Sequence, residues 1–295
     1  MLCAMVVGFA GTAGATATAA GDRQLLYFNH AYGVIDRETA DAVEHSQFLR
    51  EFANFQVRTT TGGGQTWTAR YVLGRETYLE LFGVGDLAGQ NGVLGAGGLA
   101  VSAERDGDLG AAAERLRTLG DGPVLSLQTR DFGDGVPVPW FDVVFTSGIT
   151  SYDAFGAWGM EYRPEFFADP RSNTEPASYP GDVGRERVLP DDYAGHLMRE
   201  VTAIRIGITA GDHADTVPLL RAGGFAVRTT PHGTVATRGG TTIRLDVVPL
   251  AEIGLRSVEF SLSKAVNHRH VERIGNSELV VGPGPRAHWT FEFRN

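Results

Sequence analysis

Short hydrophobic runs recur along the chain in one fixed order. Residues 25–35 (LLYFNHAYGVI) are rich in aromatic and β-favouring side chains and predict a strand. Asp36 then caps a predicted helix that extends to about residue 49. Three strand-like runs follow, at 54–60, 67–73 and 76–82. Together these elements predict one module with the order strand, helix, strand, strand, strand.

The same order starts again twice. A second copy has a strand at 98–103, a helix from Asp108 to Gly120, and strands at 124–129, 138–145 and 155–162. A third has a strand at 201–209, a helix from Asp215 to Gly223, and strands at 234–237, 241–248 and 254–262. Further strands at 270–273, 278–281 and 287–293, with no helix between them, predict the remnant of a fourth module. Because strands outnumber helices and follow one another directly, the pattern predicts an α+β fold of repeated βαβββ modules, not a doubly wound parallel sheet.

Composition narrows the classes of function. The 295 residues carry a formal net charge of −9, and 42% of them are hydrophobic, as is usual for globular proteins. An acidic chain lacks the basic surface that nucleic-acid binding needs, so we expect no nucleic-acid partner. The single cysteine excludes cysteine-rich zinc sites, and no Gly-x-Ser-x-Gly motif indicates a serine nucleophile.

The first twenty residues predict export. Residues 2–20 are uncharged, small and apolar, and end in Ala-Thr-Ala-Ala, which is typical of a secretory signal peptide. No basic segment precedes the apolar run, so a retained anchor, an extension without function and a start further upstream remain alternatives. With a cleaved leader we expect a secreted or cell-envelope protein without a membrane span, and otherwise a cytoplasmic one.

The module resembles a known superfamily. A first strand containing Asn29-His30-Ala31-Tyr32, followed by a fourth strand reading Tyr78-Leu79-Glu80-Leu81-Phe82, is similar to the vicinal oxygen chelate superfamily, which includes glyoxalase I, extradiol dioxygenases and bleomycin-resistance proteins. The N-terminal stretch also resembles an uncharacterised bacterial glyoxalase-like family. The resemblance implies curved mixed sheets, with a module pair at 21–167, a connector at 168–197 and a second, degenerate glyoxalase-like part at 198–295.

The resemblance also implies a metal site inside the cup that a module pair forms. Its ligands would be His30, Glu80 and Glu161, the last aligned with Glu80, while the residues around Ala100 offer no fourth ligand. One imidazole and two carboxylates would suit a divalent ion such as Fe, Mn, Ni or Zn. Glu80 and Glu161 would then be the catalytic carboxylates. The alternatives are a strand histidine bonded to backbone and two glutamates paired with nearby arginines.

A set of aromatic side chains is expected to bind the substrate or to pack in the core. Its members are Tyr32, Trp67, Tyr78, Trp140 and Trp158.

The function that follows is a metal-dependent glyoxalase-like enzyme, a lyase, isomerase or dioxygenase that acts on a small oxygen-rich or aromatic molecule. The alternative is a metal-free exported protein of the same fold that binds or sequesters a small molecule. The chain is expected to be a monomer or a homodimer.

Overall fold

The computed structural model describes residues 23–292, apart from the side chain of Thr150, so the predicted leader lies outside the described residues. Sixteen strands are described: β1 (Leu26–Ile35), β2 (Asn54–Gly62), β3 (Gln65–Leu73), β4 (Tyr78–Gly83), β5 (Gly97–Ala103), β6 (Val124–Asp131), β7 (Val138–Phe145), β8 (Phe155–Tyr162), β9 (Met198–Ile208), β10 (Ala226–Thr230), β11 (Gly233–Thr237), β12 (Thr242–Val247), β13 (Gly254–Val266), β14 (His270–Ile274), β15 (Ser277–Val281) and β16 (Gly284–Phe291). The helices are α1 (Arg37–His45), α2 (Gln47–Phe52), α3 (Asp108–Thr118), α4 (Pro164–Ala168) and α5 (Ala210–Ala222).

The first eight strands form a closed barrel with the order β1-β4-β3-β2-β6-β7-β8-β5. Within each module the first and fourth strands are parallel neighbours, because a helix carries the chain back between the first and second strands. The two modules meet through the antiparallel pair of β1 and β5. On the opposite side β2 and β6 close the barrel over two residue pairs, which join Thr61 to Asp131 and Gly62 to Arg130. The α+β fold of repeated modules is confirmed.

The second half of the chain forms one eight-stranded sheet with the order β10-β11-β12-β9-β13-β16-β15-β14. Its third module keeps the parallel pair of β9 with β12. In the fourth module β13 runs antiparallel to β16, because a chain without the crossover helix reverses the direction of the last three strands. The strand β13 starts this fourth module, whereas the sequence assigned it to the end of the third.

A continuous apolar core joins the barrel to the second sheet. It includes Leu26 and Phe28 from β1 together with Val258 and Phe260 from β13, all of them fully buried. The helix α5 packs against β8 on one side and against strands of the second sheet on the other. Burial of this shared surface makes the two halves one packed unit. Among the described helices, none has the length and apolarity to cross a membrane.

Local details differ from the sequence prediction at three places. The first predicted helix is two helices, since Ser46 ends α1 and its side chain caps α2 by accepting from the Leu49 N–H. The third helix begins at Ala210, not at Asp215, because the Thr209 hydroxyl caps it. It then continues through Pro218, where burial of the following leucines offsets the hydrogen bond that proline cannot donate. The strand β10 was not predicted at all.

The segment between the halves is more than a surface connector. Within it Val183 and Arg185 are each 5% exposed. The Arg185 guanidinium donates to the backbone carbonyl of Phe28 and forms ion pairs with Glu76 and Glu104. This segment therefore covers one side of the barrel and fixes it to β1.

Asp212 of α5 links the second half to the barrel, which yields a test of how the halves depend on each other. Its buried carboxylate accepts hydrogen bonds from the N–H groups of Asp153, Ala154 and Phe155 at 2.7, 3.1 and 3.0 Å. We expect Asp212→Ala to lower the free energy of unfolding by about 2–4 kcal/mol, because it leaves these donors without an acceptor. Urea denaturation measures the change. Asp191→Ala, at an exposed position, is the control, and an equal loss in both variants would contradict the link.

Candidate functional site

The barrel encloses a cavity of about 870 Å³, which is within the range of ligand sites. All five aromatic side chains predicted to bind a substrate line this cavity: Tyr32, Trp67, Tyr78, Trp140 and Trp158. His30 and Glu80 line it as well. Further aromatic residues complete the walls: Tyr71, Phe82, Phe141, Phe145 and Tyr162.

A β-bulge in β1 turns His30 into the cavity. Phe28 pairs with Val101 and His30 pairs with Ala100, so Asn29 is an extra residue in β1. Strict alternation of side chains along a strand would place Phe28 on the same face as His30 and Tyr32. The bulge separates them, since Phe28 packs in the core outside the barrel whereas His30 and Tyr32 line the cavity.

His30 is held as a neutral imidazole. Its ring stacks on Tyr78 with centroids 4.3 Å apart, and it meets Trp158 edge to face with centroids 5.5 Å apart. Burial lowers the pKa of His30 to about 3. Its Nδ1 lies 2.8 Å from Oδ1 of Asn29, whose amide nitrogen donates to Ser102. Because an amide oxygen only accepts, this contact assigns the proton to Nδ1 and leaves Nε2 as an acceptor.

Glu80 lies directly opposite Tyr71 on the neighbouring strand β3 and is 7% exposed. Its Oε1 accepts hydrogen bonds from the indole of Trp67 at 3.0 Å and from the hydroxyl of Tyr71 at 2.8 Å. Burial raises the pKa of Glu80 to about 7, although these two donors and the charge of Arg58 favour the ionised form. A carboxyl group that exchanges its proton near neutral pH therefore lines an aromatic cavity.

Glu161 does not join His30 and Glu80. Its two carboxylate oxygens accept from the N–H groups of Gly107 and Leu109, at 3.0 and 2.9 Å, and so cap the first turn of α3. Side chains alternate along β8, and Trp158, Met160 and Tyr162 take the face that lines the cavity. Glu161 therefore lies on the other face, where burial raises its pKa.

The register between the modules shows which residues correspond. His30 opposes Ala100 across the β1–β5 pair, so Ala100 is the residue of the second module that lies directly across from His30. Their parallel neighbours are Tyr78 and Trp158, and relative to this pair Glu80 and Met160 take corresponding places, two residues further along each strand. The second module thus offers a methyl group and a thioether at the positions where the first offers an imidazole and a carboxylate.

These residues do not fit the divalent metal that the resemblance implies. Of the three predicted ligands only His30 and Glu80 present a nitrogen or oxygen donor to the cavity, whereas catalytic zinc sites, for comparison, use three protein ligands. Asn29 binds Nδ1 of His30, and Trp67 and Tyr71 both bind Oε1 of Glu80, so these contacts leave one donor atom on each side chain, Nε2 and Oε2, which is one short of three protein ligands. Within residues 23–292 no group of three or more His, Cys, Asp or Glu side chains is arranged to hold a metal ion. The predicted set of three ligands is not assembled.

Two arginines that the sequence analysis did not single out also line the cavity. Arg58 of β2 lies over the ring of Tyr71 at 4.9 Å, and Arg130 of β6 lies over Trp140 at 5.0 Å. In the strand order, β2 and β6 lie across the barrel from β1 and β5. The cavity therefore has a cationic wall opposite the wall that carries His30. The segment that follows the barrel adds Val188 and Leu189 to the lining.

The sequence matches the model of a family of unknown function, DUF5829, over residues 28–291. The chain belongs to this family. No curated protein matches the sequence significantly.

Solved structures show only distant similarity. A xylose isomerase-like TIM barrel/4-hydroxyphenylpyruvate dioxygenase fusion protein is 10% identical with a TM-score of 0.41, over 81% of this chain and 38% of that one. An extradiol ring-cleaving dioxygenase from B. fuscum is 12% identical with a TM-score of 0.38, over 79% of this chain and 57% of its own. A Mn(II)-bound glyoxalase from Novosphingobium aromaticivorans is 10% identical with a TM-score of 0.41, over 89% and 81%. This chain thus spans less than two thirds of the first two proteins, and the assignment of its fold rests on its own strand order and register.

The raised pKa of Glu80 predicts how stability depends on pH. Between about pH 4.5 and pH 7 the unfolded chain releases the proton that the folded protein keeps, so this residue makes stability fall as the pH rises. Glu80→Gln keeps the oxygen acceptor but cannot ionise. We expect the free energy of unfolding of the wild type, relative to this variant, to fall by about 3 kcal/mol over that interval. Urea denaturation at several pH values measures it. Glu114→Gln on α3 is the control, and a difference that is flat with pH would contradict the burial of Glu80.

Proposed function

We propose that this protein binds a small, flat organic molecule inside the barrel, and that no metal ion takes part in holding it. The observation that carries this proposal is the correspondence of Ala100 with His30 and of Met160 with Glu80. Half of the donors that a metal centre between two modules would use are replaced by apolar groups. The same replacement extends the apolar wall of the cavity.

The aromatic lining favours a ligand with a flat ring system. Tyr78 and Trp158 flank His30, and Trp158 also lies 6.2 Å from Tyr32. Gly98 makes this arrangement fit, since a Cβ atom there would lie 2.3 Å from the ring of Tyr32 and 2.8 Å from that of Trp158. Rings with edges and faces exposed to a cavity offer offset-stacked and edge-to-face contacts to a second ring system.

One observation favours a second function, metal-independent proton transfer. The Glu80 carboxyl, with a pKa of about 7, lines the same cavity as the ligand, and a carboxyl group with this pKa suits a general base or acid near neutral pH. A lyase or isomerase reaction would then follow binding. Glu80→Gln separates the two functions, because it retains the hydrogen bonds of the side-chain oxygen and removes only the exchangeable proton.

Binding of a neutral two-ring probe tests the proposed function. We expect 2-naphthamide to bind with a Kd of about 10–100 μM, as the size of such a probe allows. Trp158→Ala removes one wall and should weaken binding about tenfold. Isothermal titration calorimetry on the full chain measures both values. Trp289→Phe, whose indole is buried in the second sheet, is the control and should bind like the wild type. Absence of binding to the wild type, or an equal affinity for Trp158→Ala, would contradict a ligand site in the barrel.

A further inference from the structure

The ligand of the cavity, we infer, carries a carboxylate on its flat aromatic body, and Arg58 and Arg130 bind that carboxylate. This inference rests on the proposed function, since it names the class of ligand for the same cavity. Both arginines line the cavity on the β2–β6 side, across the barrel from His30.

Arg58 and Arg130 differ from the fully buried arginines of the chain, because those form ion pairs and these two do not. Arg70, which is 5% exposed, forms ion pairs with Glu44 and Asp86 at 2.6 and 2.7 Å. Arg185, also 5% exposed, pairs with Glu76 and Glu104. Within residues 23–292 no carboxylate lies within ion-pair distance of the cavity's two arginines. Arg58 and Arg130 are half-buried, and their guanidinium groups line a partly enclosed cavity without the ion pairs that the chain supplies to the fully buried Arg70 and Arg185.

The carboxylates that line the cavity do not fill this role. Asp86 is already bound by Arg70 and, at 2.6 Å, by Arg37. Glu80 accepts from Trp67 and Tyr71, and burial raises its pKa, so near neutral pH a large share of it is uncharged. His30 is neutral as well. The cavity therefore carries a net positive charge.

Hydrogen-bond donors on the same side of the cavity lack acceptors. The Nε of Arg58 and the indole nitrogen of Trp140 are buried and have no hydrogen-bond partner among the described residues. A buried donor without an acceptor is costly, so such donors are uncommon in folded proteins. Both side chains line the cavity, but these two atoms are covered by neighbouring protein, as is the unpartnered Nε of the ion-paired Arg70. The acceptor oxygens of a ligand would therefore contact the uncovered terminal nitrogens of the guanidinium groups.

Aromatic rings hold the two arginines by their faces. Arg58 lies over Tyr71, and Arg130 lies over Trp140 and, at 5.1 Å, over Phe132. A guanidinium held in this way keeps its N–H edge for planar, bidentate contacts with a carboxylate. Burial, and after it the charge of Arg58, lowers the pKa of Arg130, so an anion placed between the two groups would relieve their repulsion.

A matched pair of probes tests the inference on the unmodified protein. 2-Naphthoate and 2-naphthamide have the same ring system and differ in charge, and calorimetry gives the affinity of each. We expect the acid to bind at least about tenfold more tightly, because hydrogen bonds to charged groups strengthen binding by this factor or more. Equal affinities would overturn the inference and leave the proposed function standing. If neither probe binds, both fail.

Substitutions then locate the contact. Arg58→Gln and Arg130→Gln should each weaken binding of 2-naphthoate about tenfold and leave binding of 2-naphthamide unchanged, whereas Arg58→Lys should retain part of the preference for the acid. Arg228→Gln, at an exposed position on β10, is the control. An unchanged preference for the acid in both glutamine variants would overturn the assignment. Inorganic phosphate that occupies the site as well as 2-naphthoate does would also overturn it. If a variant does not fold, the ratio of the wild type's affinities for the two probes tests the inference by itself.

Discussion

The antiparallel pairing of β1 with β5 is the constraint on which the site depends. It joins the two modules, and its register decides which side chains of the second module correspond to those of the first. The extra residue at Asn29 then sets which face of β1 each residue occupies, because a bulge shifts the alternation of side chains by one position. Without that bulge Phe28 and His30 would share a face, and a large apolar ring would have to leave the core outside the barrel.

The same barrel has to accommodate polar groups in an aromatic surrounding, and it does so with neutral partners. His30 loses its positive charge to burial, and Asn29 fixes its proton on Nδ1. Glu80 receives hydrogen bonds from an indole and a phenol in place of an ion pair. Uncharged donors stabilise a carboxylate less than a cation does, which explains why its pKa remains raised. On the opposite wall the arginines keep their charge with aromatic rings as their neighbours.

Sequence patterns were sufficient for the module order and for much of the cavity, but not for its chemistry. The resemblance brought His30 and Glu80 to one cup, and the five aromatic residues were expected to line it or to pack in the core. Alternation along the predicted strands agreed with this, because period-two patterns report which side chains share a face. The same pattern does not report which residue of two repeats corresponds, and Glu161 was aligned with Glu80 although Met160 holds that position. Arg58 and Arg130 were missed because single arginines on separate strands form no motif. The alternation of Gln56, Arg58 and Thr60 was the available signal, since it indicates which side chains share a face of β2. The pairing of β2 with β6 is needed as well, because it closes the barrel.

The central claim is that the barrel is a site for an organic ligand and not a metal centre, and elemental analysis tests it most directly. The protein would be purified without chelator and its Fe, Mn, Ni and Zn content measured per chain, together with His30→Ala and Glu80→Gln. The structure predicts no stoichiometric metal in the wild type, or metal that both variants retain and that is therefore bound elsewhere. About one equivalent of a single metal in the wild type, lost in both variants, would contradict the claim, since His30 and Glu80 would then form a metal centre despite the apolar groups at Ala100 and Met160.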